Sequence, residues 1–355
     1  MIDLLDPALL TVVTGGGGWF GRAFLNAIAT GETDETGPVA RAGPVRVLVP
    51  TPSDVATVTA VLPTAEVHVG DVADLAAVHR LLSDGQGASV VHAATAGHAR
   101  RASDFERDNV GGTANVLDAA RHVRARRVVH VSTAFVGAEQ RPADRRTMLP
   151  ARPAHRVRVG ETASKLTAER AVLAANRTGV LETVVIRAPA CYGPWQPDEQ
   201  TDFLRSVRAG RYPIVGPGER LRSLVYVDNL VQAVALAERV PCATGAALSV
   251  ADDSPYPMRD VIATLKRALR DEGLEVSERQ MRLPAVVAGA AKRAGVYLQE
   301  RGVSDRRVRV LATMDGPVVV DNRDAARVLG YDPKVELLEG TRRSIRWCVQ
   351  QGLEL

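Results

Sequence analysis

The chain has 355 residues, 46% apolar, 24% charged and 4% aromatic, with a formal net charge of +4. That composition suits a soluble globular protein of one large or two modest domains. Its basic clusters, at residues 145–146, 306–309 and 342–346, lack the interleaved aromatics of a nucleic-acid binder, so the expected partner is an anionic small molecule.

The opening MIDLLDPALLTVVTGG runs into a strand-like segment without a basic leader, and the apolar stretch 283–291 is too short to span a bilayer. Cys191, Cys242 and Cys348 are far apart and form no CxxC pair, which argues against a disulfide framework or a zinc site. The expectation is a reduced, cytoplasmic protein with no membrane partner.

In chain order, apolar runs alternate with amphipathic segments. Strands are expected at 9–13, 45–49, 67–69, 89–92, 128–131 and 181–186. Helices are expected at 18–28, 55–62, 75–82, 109–120 and 163–176, and 31–44 reads as a loop. Short apolar strands separated by helices imply parallel pairing through crossovers, hence a Rossmann-type, doubly wound α/β sheet. After Pro189 the rhythm breaks. Residues 223–227 and 228–237 read as one more strand and helix of the main sheet. The domains predicted are therefore 1–189 plus about 222–244 for the dinucleotide-binding part. About 190–221 and 245–355 form a smaller, discontinuous C-terminal lobe for substrate.

Thr14 and the run Gly15-Gly16-Gly17-Gly18-Trp19-Phe20-Gly21 lie between the first strand and the first helix. Gly15, Gly18 and Gly21 give GxxGxxG, whose glycines serve a tight turn, close approach of a pyrophosphate, and helix–strand packing at a helix N-terminus. No carboxylate ends the second strand, where NAD enzymes hold the ribose hydroxyls. Arg22 could instead reach a 2′-phosphate, so NADP(H) is favoured over NAD(H).

These segments resemble the extended short-chain dehydrogenase/reductases, the epimerase/dehydratase and 3β-hydroxysteroid dehydrogenase-like group. The likeness runs through TGGGGWFG at 14–21, Gly70-Asp71-Val72, Val91-His92-Ala93-Ala94, and Asn109-Val110-Gly111-Gly112-Thr113-Ala114-Asn115. It continues in Val131-Ser132-Thr133-Ala134, Ala188-Pro189-Ala190-Cys191-Tyr192-Gly193-Pro194, Arg222 to Asn229, and the tail from Asp321 to Trp347. The resemblance implies an NAD(P)-dependent oxidoreductase. Its cofactor would touch Gly15, Gly18, Trp19, Phe20, Gly21 and Arg22 in the glycine turn. Asp71 and Val72 would lie at the adenine, and Ala93, Ala94, Asn109, Lys165 and Pro189 further along. A homodimer is possible by the same analogy.

The family's Tyr-x-x-x-Lys pair is here Glu161 and Lys165, and no tyrosine precedes Tyr192. In the family the tyrosine relays a proton and the lysine, one turn later, lowers its pKa and holds the nicotinamide ribose. Three readings stay open. Glu161 is the relay, its pKa raised by burial against the opposing effect of Lys165; or the substrate supplies its own acid, with Ser132 or Thr133 orienting it; or the site binds nucleotide without turnover. Register leaves Ser132 and Thr133 as alternatives, since a strand alternates its faces.

His98, with Arg100 and Arg101, flanks the substrate in this family, although a solvated loop suits those charges too. His155 is an alternative acid or an ordinary loop histidine. Tyr192 is placed near the nicotinamide end or in the core, and Arg222 at a diphosphate position of nucleotide-sugar enzymes. The resemblance together with the missing tyrosine points to an NAD(P)H-dependent ketoreductase of a small-molecule or secondary-metabolite carbonyl. The alternatives are a nucleotide-sugar epimerase/dehydratase and a non-catalytic nucleotide-binding regulator.

Overall fold

A computed structural model describes residues 9–33, 37–39, 43–96, 101–135, 161–300 and 317–355. Six strands alternate with helices through the first half. They are β1 (Thr11–Thr14), α1 (Trp19–Thr30), β2 (Val45–Val49), α2 (Pro52–Val61), β3 (Glu66–Val69), α3 (Leu75–Leu81), β4 (Ser89–His92), α4 (Gly112–His122), β5 (Arg127–Thr133), α5 (Glu161–Ala175) and β6 (Glu182–Ala188). The expected strands are all present. Residues 31–44, read as a loop, include a short antiparallel pairing of Glu32–Thr33 with Gly37–Pro38.

One parallel sheet holds these strands in the order Ala247–Ser249, β6, β5, β4, β1, β2, β3. The order reverses between β1 and β4, the point at which such sheets open a crevice at the strand carboxyl ends. Because helices cover the sheet, its central strands are Val-rich runs: Val12, Val13, Val90, Val91, Val128 and Val129 are fully buried.

The seventh strand is not the one expected. Leu224–Tyr226 pairs in parallel with Ala190–Tyr192 in a separate two-stranded sheet, and Ala247–Ser249 takes the edge of the main sheet beside β6. Periodicity marks a strand but not its partner, and three-residue strands carry little pairing information. Two compact units result. The first comprises Met1–Ala188, Leu230–Val250 and Asn322–Tyr331, the second Pro189–Asn229, Ala251–Asp321 and Asp332–Leu355. Residues 222–229, expected with the first, lie in the second.

In the second unit, helix Leu337–Gln350 packs on helix Met258–Asp271, with Glu272 just beyond the latter taking Arg342 at 3.0 Å and Arg346 at 2.9 Å. Gly340 permits that helix to meet the paired strands, since a Cβ there would lie 2.6 Å from the Tyr226 ring and 2.7 Å from Tyr192. Beneath them sits buried Asp252. It accepts from the Tyr192 hydroxyl (2.8 Å), the Tyr226 amide (2.9 Å) and Asn229 Nδ2 (3.0 Å). Burial pushes its pKa up to about 6 in spite of these donors. No described helix is long and apolar enough to cross a membrane.

Candidate functional site

The glycine run forms a turn that only glycine can make. Gly15 has φ +77°, and a Cβ on it would lie 2.7 Å from the backbone of Ala93 and Ala94. On Gly21 it would lie 2.2 Å from the Gly15 carbonyl oxygen, and on Gly18 it would lie 3.2 Å from the same atom. Gly18 caps α1 without a side-chain hydrogen bond, and no acidic residue occupies the first turn. The positive dipole end of α1 therefore suits an anion, and the close backbone approach suits a dinucleotide pyrophosphate. Trp19 and Phe20 are half-buried behind the turn, where Phe20 stacks on Phe24 at 5.7 Å.

A carboxylate absent from the end of β2 stands one turn further on. Asp54 closes a capping box on Thr51, receiving the Thr51 amide at 3.2 Å and its hydroxyl at 2.6 Å. This brings Asp54 beside Gly17, whose added Cβ would lie 3.5 Å from it. Half-buried Arg22 feels the same carboxylate: burial lowers the guanidinium pKa and Asp54 opposes the shift. Only the Thr51-x-x-Asp54 spacing hints at this in the sequence.

Asp71 and Val72 follow β3. The Asp71 carboxylate accepts the Ala73 amide at 2.9 Å, and Asn115 Nδ2 donates to the Val72 carbonyl at 3.1 Å. Gly112 leaves room for Val72, because a Cβ there would meet its side chain at 2.7 Å. The "NVGGTAN" stretch thus pins the loop after β3. Its first part is a π-helical turn, Glu106–Gly111, where a plain helix was expected; such turns frequently mark functional segments.

Asn109 lies in that turn, buried. Its Oδ1 accepts from the Thr95 hydroxyl (3.0 Å) and the Ala96 amide (2.9 Å), and its Nδ2 donates to Ser164 Oγ (2.9 Å). Ser164 donates in turn to the Glu161 carbonyl at 2.9 Å. The loop after β4 is thereby tied to the first turn of α5, the helix that carries Glu161 and Lys165. There Lys165 Nζ is 3.2 Å from the Glu161 carboxylate, whose side chain is 48% exposed.

Ser132 and Thr133 separate as strand alternation requires. Ser132 is buried and gives its hydroxyl to Glu169 Oε2 at 2.9 Å, two turns along α5 from Glu161. Glu169 is itself fully buried and paired with Arg187 of β6. Thr133 is half-buried, and its Oγ1 accepts the Phe135 amide at 3.4 Å. Ser132 is thus a member of a buried ionic cluster, and Thr133 holds the more accessible hydroxyl.

Two buried histidines stand on adjacent strands, His92 at the end of β4 and His130 within β5. His92 Nδ1 is 2.7 Å from Thr14 Oγ1 and its Nε2 is 2.9 Å from Thr113 Oγ1. His130, the register partner of His92 on β5, stands with its ring centroid 5.0 Å away. Burial lowers the His92 pKa to about 4 and holds His130 well below the usual imidazole value, with His92 and Lys165 adding to the shift on His130. The sequence signal for both was a histidine inside a valine-rich strand.

The substrate assignment of Tyr192 is corrected. Its side chain is buried, its hydroxyl belongs to Asp252, and its ring lies 5.6 Å from that of Tyr226, so it is a core aromatic of the second unit. Arg222 is half-buried on the short strand Leu221–Arg222, which pairs antiparallel with Tyr256–Pro257. Burial lowers its pKa. Pro189 is buried directly after β6. His98, Arg100 and His155 lie outside the described residues, while Arg101 donates its amide to Asp104 at 3.1 Å. Among the described residues no cluster of three or more His, Cys, Asp or Glu is placed to hold a metal.

Residues 11–246 match the NAD dependent epimerase/dehydratase family. The chain is 35% identical over 349 residues to Uncharacterized protein y4nL of Sinorhizobium fredii, covering 97% of this chain and 96% of that one. Over 342 residues it is 33% identical to the 4-hydroxy-2-methyl-3-oxo-4-farnesyl-3,4-dihydroquinoline-1-oxide ketoreductase of Stigmatella aurantiaca, covering 93% and 94%. Among solved structures, the UDP-glucose 4-epimerase of Thermotoga maritima is similar with a TM-score of 0.71 at 19% identity, covering 97% and 99%, a likeness of fold.

Proposed function

This chain belongs to the NAD dependent epimerase/dehydratase family of extended short-chain dehydrogenase/reductases, and on that premise we propose that it is an NAD(P)H-dependent ketoreductase acting on a small-molecule carbonyl. The observation that carries the reading is α5, which presents Lys165 one turn after Glu161 in a chain with no tyrosine before Tyr192. Epimerases and dehydratases lean on the tyrosine as a base, whereas ketone reduction needs only one proton delivered to an oxygen. The ketoreductase name of the relative from Stigmatella aurantiaca supports the same reading.

A bound reduced nicotinamide supplies the hydride. The chain's own residues do the rest. The glycine turn and the α1 N-terminus bind the pyrophosphate, and Lys165 holds the nicotinamide ribose. Thr133 orients the carbonyl, since Ser132 is committed to Glu169. Glu161 stands where the family has its tyrosine, and its ion pair with Lys165 favours a tethering role. The proton then reaches the carbonyl oxygen from water or from an acidic group of the substrate.

A panel of ketones, led by 3-oxo-dihydroquinoline N-oxides, tests the reading by oxidation of the reduced dinucleotide. Lys165→Ala should lower kcat/KM about 100-fold and weaken dinucleotide binding, while Glu161→Gln should change the rate less than roughly threefold. A loss of about 100-fold in Glu161→Gln is the size expected of a general acid, and would restore Glu161 as the relay. Absence of turnover across the panel, with dinucleotide bound, would leave the regulator.

NADP(H) is the proposed cofactor, with Arg22 taking the 2′-phosphate. Asp54, beside Gly17 and facing the same guanidinium, favours the alternative in which a carboxylate accepts the ribose hydroxyls of NAD(H). Calorimetry on two variants separates them. If NADP(H) is right, Arg22→Ala weakens NADPH about 10- to 100-fold, the size of one charge-assisted hydrogen bond, and spares NADH. If Asp54→Asn instead weakens NADH by that factor, the preference is for NAD(H).

A further inference from the structure

The buried histidine His92 sits between the glycine turn and the helix that follows the cofactor strands, and the surrounding hydrogen bonds fix its proton. The Thr113 hydroxyl donates its single proton to the Asn109 carbonyl at 2.5 Å, so towards His92 Nε2, 2.9 Å away, it can only accept. Nε2 therefore carries the hydrogen, and Nδ1 is the acceptor for the Thr14 hydroxyl at 2.7 Å. The Thr14 oxygen also accepts the Ala94 amide at 3.4 Å. Its neighbour Gly15 lies against the same Ala93–Ala94 backbone, too close for a Cβ.

A continuous chain results. It runs from the Ala94 amide through Thr14, His92 and Thr113 to the Asn109 backbone. The Asn109 side chain carries it on through Ser164 to the Glu161 carbonyl. One end sets the turn that receives the pyrophosphate, the other the first turn of α5.

We propose that His92, as the neutral Nε2–H tautomer, is a positioning residue that sets the glycine turn against the Ala93–Ala94 backbone and couples it to α4 and α5. The position at the centre of the chain makes this a directional requirement. An imidazole with its hydrogen on Nδ1 would present a donor to Thr14, and the Thr14 hydroxyl proton would lose its acceptor. A doubly protonated ring would do the same, and burial, which lowers the pKa to about 4, keeps that form away at neutral pH. Thr113 does not belong to the glycine turn and reaches it only through the ring; its other bond goes to the Asn109 carbonyl, so the tautomer of the ring is read beside the affinity.

The inference rests on the reading of the glycine turn as a dinucleotide site. Its test uses the full chain, with wild type, Thr113→Val and Thr113→Ser titrated with NADPH and NADH. Valine preserves shape and removes the acceptor; serine keeps the hydroxyl. Thr113→Val is expected to weaken dinucleotide binding about 5- to 10-fold, the size of one net hydrogen bond, with Thr113→Ser restoring it. Nitrogen-15 spectra of ligand-free wild type, assigned by subtracting His92→Phe, should show His92 as the Nε2–H tautomer at pH 7. Wild-type affinity in a folded Thr113→Val, or an Nδ1–H tautomer, overturns the inference alone. If Thr113→Val does not fold, the wild-type tautomer decides. A wild type that binds neither dinucleotide overturns the functional reading and this inference together.

Discussion

Arg127→Ala should lower the unfolding free energy of the first unit by about 3–5 kcal/mol, the usual cost of breaking a buried charged network from one side. Arg127 opens β5 and is fully buried. Its Nη1 donates to the carbonyls of Ala237 (2.7 Å), Glu238 (3.2 Å) and Val240 (2.9 Å), at and just beyond the end of helix Val227–Arg239. Those are carbonyls a helix leaves unsatisfied, at the negative end of its dipole. Nε and Nη2 together hold Glu182, its register partner on β6, and Nη2 also reaches Thr244 Oγ1 at 2.9 Å.

Alanine leaves all of these acceptors without their donor at once. Arg127→Lys keeps the charge but not the five-donor fork, so it should fall between wild type and alanine. The measurement is the urea midpoint followed by circular dichroism. A midpoint within experimental error of wild type would mean that these buried bonds contribute nothing net. Arg127 lies at the opposite end of β5 from Thr133, so activity per folded molecule should be unchanged.

Gly21→Ala is expected to weaken dinucleotide binding by about 100-fold, roughly 3 kcal/mol, while leaving the fold in place. The added methyl would sit 2.2 Å from the Gly15 oxygen and 2.6 Å from Gly16 Cα, both backbone atoms, so the turn itself must open. Opening it moves the amides that face the pyrophosphate. The same substitution removes a helix glycine from α1, which favours the helix by about 1 kcal/mol and offsets part of the strain. Gly17→Ala is the comparison: the atoms nearest its Cβ belong to Asp54, at an ordinary 3.5 Å, so the turn keeps its shape and binding should fall less than in Gly21→Ala. Equal affinities for Gly21→Ala and wild type would mean that the turn does not hold the dinucleotide.

Legibility in the sequence followed the range of the interactions involved. The parallel sheet was readable because its strands are buried on both faces and so are unbroken apolar runs, and because each is separated from the next by one helical segment. The glycine turn was readable because backbone clashes force glycine at Gly15 and Gly21 whatever surrounds them. Lys165 and Glu161 followed from the resemblance to the family's Tyr-x-x-x-Lys pair, and their 3.2 Å pairing is what i,i+4 geometry provides.

What failed depended on partners distant in the chain. Tyr192 carries a motif tyrosine that looks available for a ligand, but Asp252, sixty residues later, takes its hydroxyl into the core. Ser132 and Thr133 were indistinguishable until Glu169 claimed one of them. Residues 223–227 look like another strand of the main sheet, and only the pairing with Ala190–Tyr192 removes them from it. Asp54 stayed hidden because a capping box, not the strand end, delivers it to Gly17.

By itself the sequence determined the elements of the first half, their parallel pairing and the glycine turn, all of which rest on local geometry or on burial that shows as periodicity, while the place of Glu161 came from the resemblance to the family. The tertiary structure alone decided which polar side chains are bound within the core and which are left for ligands. Hydrogen bonds and ion pairs are satisfied in space, by whichever donor and acceptor the fold brings within about 3 Å, and no spacing along the chain records that choice.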